Sequence, residues 1–380
     1  MKFMTLKMFN IIKKFILVLI NSKFSFSLEK KNILVYDKTS SDEFKDILEN
    51  KDVFILKTRT QDINKIYISK KIVFLILKNL FRYKIRLNYY IALISEINPE
   101  IVITRIDNSP EFYELAKYFL NKIKFISVQN ATRGDLFDEK KYWNKNIIIT
   151  NYVCFSKFDI KAINSLGINV KKFFIGGSLR NSNFKIQSKE KSLNKSNKYD
   201  ICFISKQDFA AHEGEENRRS ELLILLKYLA TYVKKFNKKI IIATKVNFNK
   251  TEEEIYKNFF FDTPFTINWR TNKFTSYEAI SRSKIVVGLS STILREAFQY
   301  ETKVLCCEFR KRPNHWDPFS NLNHLKNITY KNFEKRLVSL FNMNINDYYN
   351  QLDNHKDYYM ANIDTNELLK NLIHDKDQLI

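Results

Sequence analysis

Residues 283–309, SKIVVGLSSTILREAFQYETKVLCCEF, decide the fold. Ile285, Val286 and Val287 form a short apolar run, Gly288-Leu289-Ser290-Ser291-Thr292 a small polar turn, residues 293–300 a helix, and residues 304–309 a second buried strand. That order makes a βαβ unit, and in such units ligands sit in the crevice at the carboxyl ends of the strands. On the helix, Ile293 with Ala297 and Leu294 with Phe298 are i,i+4 pairs that would pack on a sheet. Thr292 and Glu296 form a different i,i+4 pair. Thr292 stands at the helix N-terminus, where free backbone N–H groups and the helix dipole favour a phosphate. Glu296, one turn on, can accept hydrogen bonds from ribose hydroxyls. Ser290 or Ser291 can equally be a plain N-cap. Glu296 lies too far along for the glutamate of a capping box, which needs a three-residue spacing.

At 380 residues and 44% hydrophobic, the chain can bury two cores of ordinary size. It divides into a basic amphipathic N-terminal segment (1–29), a Rossmann-like domain (30–184), a linker (185–198), a second Rossmann-like domain (199–345), and a C-terminal helix and tail (346–380). A net charge of +23 suits a polyanion or an anionic membrane surface. The excess is lysine dispersed among abundant Asn, Ile and Phe, the mark of an AT-rich coding sequence, so charge alone is weak evidence of binding. Cys154, Cys202, Cys306 and Cys307 show no metal-ligand spacing and read as buried thiols in a reducing compartment. Adjacent Cys306 and Cys307 would point to opposite faces of their strand.

Residues 1–28 carry Lys2, Lys7, Lys13, Lys14 and Lys23 among Phe, Ile, Leu and Met. The longest uncharged apolar run, 15–20, is too short to span a bilayer. The segment reads either as a basic amphipathic helix on the cytoplasmic leaflet or as a first helix packed on the domain. The chain is then cytoplasmic, peripheral on the inner face of the membrane in the first case.

The first domain offers strands at 32–36 and 53–56, a strand at 98–107 running into Asn108-Ser109-Pro110, and a strand at 124–128 ending in Gln129-Asn130-Ala131-Thr132-Arg133-Gly134-Asp135. Both strand ends put polar groups on one edge of a parallel sheet, where a cleft lies. Asp107 and Asp135 are candidate general bases, with Glu111 behind them; either Asp can instead cap the next helix. Arg133 matches an anion by its fork of donors, and with Asn130 belongs to the acceptor side. Gly176-Gly177 allows close backbone approach of a ligand or another domain, and Arg180 follows at the cleft mouth, as a ligand contact or a surface ion pair.

Residues 185–198, polar and lysine-rich, form the clearest linker. Beyond it, a strand at 199–205 leads into a loop with Lys206 and His212, and a strand at 239–244 ends at Lys245. Lys206, Lys245 and the Ser290-Ser291-Thr292 turn share one sheet edge, which suits a diphosphate. His212 can protonate or orient a phosphate, or be a solvated loop histidine. Residues 267–276, with Trp269 and Arg270, read as a loop able to stack a base or ribose.

These elements resemble a GT-B glycosyltransferase: α/β, two Rossmann-like domains facing a central cleft, with C-terminal helices. More narrowly, FISVQNATRG (125–134), GSLRNS (177–182), YDICFIS (199–205) and VGLSSTILREA (287–297) resemble the bacterial surface carbohydrate biosynthesis proteins. The resemblance implies transfer of a sugar from a nucleotide-sugar donor to a glycan or lipid-linked acceptor. The C-terminal half would hold the nucleotide and the N-terminal half the acceptor. Ser291 and Thr292 would contact phosphate and Glu296 the ribose.

The mechanism expected is metal-independent and free of any cofactor, since the only Asp-x-Asp match, Asp375-Lys376-Asp377, lies in the charged tail. Leaving-group charge would then be offset by Lys206, Lys245, Arg180 and backbone N–H groups at Ser291 and Thr292. Closure about the linker would exclude water. A nucleotide-sugar epimerase is the alternative, and would need Asp107, Asp135, Glu213 and His212 to converge on the sugar. A non-catalytic membrane-surface protein is another. A nucleic-acid binder would explain the charge, but its basic residues would be striped rather than dispersed, and no nucleic-acid motif is present.

Overall fold

The computed structural model describes residues 20–133, 147–190, 198–205, 216–300, 302–309, 319–326, 328–352 and 355–374. Six strands of the first half, β1 (Ile33–Tyr36), β2 (Val53–Leu56), β3 (Ile101–Thr104), β4 (Lys124–Val128), β5 (Ile148–Cys154) and β6 (Asn169–Ile175), form one parallel sheet in the order β2-β1-β3-β4-β5-β6. Six more, β7 (Tyr199–Ile204), β8 (Ile240–Ala243), β9 (Phe265–Asn268), β10 (Ser283–Leu289), β11 (Lys303–Glu308) and β12 (His324–Lys326), form a second. Its order is β9-β8-β7-β10-β11-β12, again parallel throughout. This is the doubly wound dinucleotide-fold order, whose direction reverses between β7 and β10. The Ser290-Ser291-Thr292 turn therefore leaves the sheet at its switch point.

Parallel strands buried on both faces read as continuous apolar runs, and β1, β3, β4 and β8 are buried at every position. In β1, Leu34 and Tyr36 face one core layer while Ile33 and Val35 face the other. The chain has only six glycines, and asparagine takes over the left-handed conformation at Asn50, Asn98, Asn121 and Asn237. Asn98, for example, ends the helix Ile85–Ile97 with φ 53.

Two segments correct the sequence reading. Phe265–Asn268, expected partly as loop, is edge strand β9, and Trp269 packs edge-on against Phe248 at 5.3 Å. The linker expected at 185–198 begins inside a helix, Leu179–Glu190; residues 191–197 lie outside the described residues. Phe184 on that helix stacks on Tyr277 at 5.5 Å and touches Phe274 and Tyr300, all of the second half. Lys185 Nζ donates to Gln299 Oε1 at 3.0 Å. The helix fastens the halves together.

The chain ends by returning to its first half. Helix Thr365–His374 lays Leu369, Leu372 and Ile373 on the layer of Ile33, Val35 and Ile126. Lys124 Nζ donates to Leu372 O at 2.8 Å. Gly177 seats this return: its φ is +68, and a Cβ there would lie 2.4 Å from Ala361 O. The close approach that Gly176-Gly177 permits is thus to the C-terminal segment rather than to a ligand. Of the N-terminal segment, residues 1–19 lie outside the described residues; Lys23–Ser25 pairs in parallel with Lys65–Tyr67. Among the described residues no helix is long and apolar enough to cross a membrane.

His324 on β12 is buried edge-on to Phe319, and burial, aided by Lys326, pushes its imidazole down to about 4. In the unfolded chain it titrates near 6.5, so between these values the unfolded state holds more protons. The contribution to stability is complete above about pH 6.5 and is lost as pH falls toward 4, by at most about 3 kcal/mol. Urea unfolding at pH 7 and pH 4.5 should show this loss in the wild type and a smaller one in His324→Gln. Equal losses in both would mean that this ring is solvated.

Candidate functional site

The carboxyl ends of the two sheets face one another: Glu43 with Lys273, Thr132 with Thr292 and Ser178 with Glu296 each join segments that follow strands of different halves. On the first sheet the order reverses between β1 and β3, and the chain beyond each supplies Glu43 and Arg105. Glu43 is buried and gathers cations from three segments: Arg105 Nη1 at 3.1 Å, Arg180 Nη2 at 2.8 Å, and Lys273 Nζ, from the second half, at 3.4 Å. Burial pushes its carboxyl up, but Arg105, Arg180 and Lys273 outweigh that and hold it below the usual carboxylate range. Burial and the neighbouring Arg180 lower Arg105. Burial would lower Arg180 too, yet Glu43, Tyr277 and Glu296 together outweigh it and raise it. Three cations on one carboxylate leave an excess of positive charge at the cleft.

Beside this cluster stands Glu296, on the short helix Thr292–Glu296. It is buried, with Oε1 accepting from Ser178 Oγ and Oε2 from Tyr277 Oη at 2.9 Å. Burial raises its carboxyl, opposed by Ser178, Arg180, Tyr277 and Arg105. In this conformation Glu296 is shut between the halves instead of lying open for a ribose. Thr292 is likewise engaged across the junction, where its Oγ1 accepts from the Thr132 backbone N at 2.7 Å. Ser291 is the N-cap residue, extended at φ −156, but its hydroxyl makes no cap hydrogen bond. Plain side-chain capping therefore does not account for Ser291. Ser290 is half-buried at the end of β10.

Asp107 cannot serve as a general base in this structure. It is fully buried and accepts from Arg133 Nε at 2.8 Å, Arg133 Nη2, Tyr152 Oη at 2.9 Å and Asn130 N at 3.3 Å. Those four bonds use the lone-pair sites of a carboxylate, leaving none for an acceptor hydroxyl. Arg133 is buried in the same pair and also donates to Asn130 Oδ1, so its guanidinium is not turned toward an acceptor anion, while Asn130 is half-buried. Burial lowers the Arg133 guanidinium but Asp107 raises it further. Glu111 is tied to Tyr36 Oη and Arg86 Nη2, each at 2.9 Å. Lys245 is exposed at the end of β8, and its carbonyl accepts from Arg270 Nη1 at 3.2 Å. Asp135, Lys206, His212 and Glu213 lie outside the described residues, as does the Asp375-Lys376-Asp377 tail.

The sequence reading passed over Glu43, Arg105, Lys273, Ser178, Tyr277 and, above all, Arg295. Arg295 is fully buried and pairs with Asp159 through Nη1 at 3.0 Å and Nη2 at 2.7 Å, donates from Nε to Tyr359 O at 3.0 Å, and lies 5.4 Å from the rings of both Phe155 and Phe158. The signal available was its place one residue before Glu296, on a helix between two strands with apolar centres, IVV and VLCC.

A family model of O-antigen biosynthesis proteins matches residues 126–322, just over half of the chain. No curated protein matches in sequence. Among solved structures, S. aureus MnaA with UDP is 12% identical with a TM-score of 0.58, covering 93% of this chain and 98% of that one. The UDP-GlcNAc 2-epimerase of Neisseria meningitidis, bound to UDP-GlcNAc, is 12% identical at TM-score 0.55, covering 90% and 98%. A glycosyltransferase of Rickettsia africae is 13% identical at TM-score 0.47, covering 92% and 100%. At 12% identity the likeness to the first two is one of fold.

Proposed function

Because this chain belongs to the O-antigen biosynthesis protein family, we propose that it is a glycosyltransferase moving a sugar from a nucleotide-activated donor to a surface polysaccharide or lipid-linked glycan precursor. The observation that carries the reading is the convergence of Arg105, Arg180 and Lys273 on the single carboxylate of Glu43, beside Glu296. Transfer from a nucleotide-sugar leaves a diphosphate, and fixed cations in a partly dry cleft stabilise that developing charge. Arg180, half-exposed, is suited to reach the phosphates, with Arg105 holding Glu43 in place behind it. The Ser291 hydroxyl and the N–H groups that follow suit the other phosphate oxygens. Glu296 would meet the ribose once its bonds to Ser178 and Tyr277 exchange as the halves part.

The fold shared with UDP-GlcNAc 2-epimerases favours a second reading, nucleotide-sugar epimerisation. Against it stands Asp107, whose bonds from Arg133, Tyr152 and Asn130 leave no carboxylate oxygen turned toward a sugar. One incubation separates the two: UDP-N-acetylglucosamine and related nucleotide-sugars, with and without a membrane fraction carrying glycan acceptors. Nucleoside diphosphate released only with acceptor supports transfer. Conversion of the donor's sugar without acceptor would replace transfer by epimerisation.

A further inference from the structure

The helix Lys70–Lys78, KKIVFLILK, is apolar around nearly its whole circumference, yet it lies at the surface. Ile72 is buried and Leu75 and Ile76 pack on the first domain's core, which accounts for one face. The opposite face carries Phe74, 63% exposed, and Leu77, 64% exposed, and the line continues past the helix end to Phe81, 100% exposed, and Ile85, 73% exposed. An amphipathic helix on a soluble domain keeps such positions polar. The side chains are held firmly. Ser69 caps the helix by accepting from Ile72 N at 3.1 Å, and Asn88 Nδ2 donates to Ile76 O at 2.8 Å, binding the helix to its successor, Ile85–Ile97.

The charge around this face selects its partner. From residue 63 to residue 95 the sequence contains no Asp or Glu, while Lys65, Lys70, Lys71, Lys78, Arg82, Lys84 and Arg86 fall within it. The last six of these are exposed and flank the apolar line. Lys71 and Arg86 lean on Glu96 and Glu111 at 3.5 Å and 2.9 Å, both outside that stretch. Aromatic and aliphatic side chains that protrude from a rim of cations match an anionic bilayer: the apolar groups enter the acyl boundary and the cations meet the headgroups. A second copy of the chain would bring the same cations against themselves. The N-terminal 19 residues, with four lysines and no acidic residue, would do so too. A lone polyanion would meet the cations but leave the Phe and Leu side chains in water.

We propose that the face built from Phe74, Leu77, Phe81 and Ile85 docks the protein on an anionic phospholipid bilayer. This goes beyond the sugar-transfer reading and does not depend on it. The test is flotation of the full-length protein with vesicles of phosphatidylcholine alone and of phosphatidylcholine with about one third phosphatidylglycerol. The wild type should float with the anionic vesicles and largely remain behind with the neutral ones. The variant Phe74→Ser/Leu77→Ser/Phe81→Ser changes only exposed side chains, so it should fold, checked by an unchanged circular dichroism spectrum, and should lose at least about tenfold in partition. Lys78→Glu/Arg82→Glu should lose binding to a similar extent, and salt should weaken the wild type. Several results overturn the proposal. One is a wild type that stays in solution with both vesicles. Another is a serine variant that floats as well as the wild type, which would move binding to another segment. A third is a wild-type dimer that the serine variant dissolves without any vesicle binding.

Discussion

Replacing Arg295 with methionine should destabilise the protein by about 3–5 kcal/mol, the cost of leaving a buried charge without its partner. Asp159, also buried, would keep only Gln129 Nε2 at 2.9 Å and Ser156 Oγ at 3.0 Å against its carboxylate. Arg295 stands on the second half and Asp159 on the first, so the loss falls on the junction as well as on the fold. The double variant Arg295→Met/Asp159→Asn removes both charges and should recover a large part of the loss, because an apolar and amide filling of that space no longer strands a charge. Urea unfolding followed by tryptophan fluorescence and by circular dichroism separates the halves if they come apart at different concentrations. A single-variant loss below about 1 kcal/mol would mean that water reaches the pair in solution and that the halves open there.

The second large effect is expected at Arg180. Arg180→Ala should weaken nucleoside diphosphate binding by roughly thirtyfold or more, from the loss of about 2 kcal/mol or more of charge-assisted hydrogen bonding to phosphate. The fold should survive, because Glu43 keeps Arg105 and Lys273. Arg180→Lys retains charge but not the fork, and should recover only part of the affinity. Calorimetric titration with UDP and other nucleoside diphosphates measures this directly. If wild type and Arg180→Ala bind alike, the cluster around Glu43 is a structural ion pair and the phosphates lie elsewhere in the cleft.

Central strands were legible because burial on both faces leaves a plain apolar run, as in ILVY of β1 and IIIA of β8. Among the edge strands β2, VFIL, was legible too, but β9 and β12 were not: FTIN and HLK are short and mixed, since one side of each has no neighbour to demand apolar residues. Of the candidate residues, Arg180 and Glu296 were legible as neighbours at the junction of the halves, whereas Asp107 misled. Asp107 has the look of a base because nothing local shows that Arg133, 26 residues on, will saturate it. Arg295 was passed over for the opposite reason. Charged residues on a helix are read as solvated, and only the meeting of two domains turns this one into the largest fully buried side chain of the described residues.

The return of the C-terminal helix imposes an order on biosynthesis. The layer formed by Ile33, Val35, Ile101, Ile103 and Ile126 is completed by Leu369, Leu372 and Ile373, which are made only after every strand of the second domain. At roughly 5–20 residues per second, some 10–40 s separate synthesis of the first sheet from arrival of its cover. During that interval the nascent first domain carries an open isoleucine-rich face, a surface for a chaperone to hold. The second domain, whose core closes with residues before it, can finish folding while the first one waits.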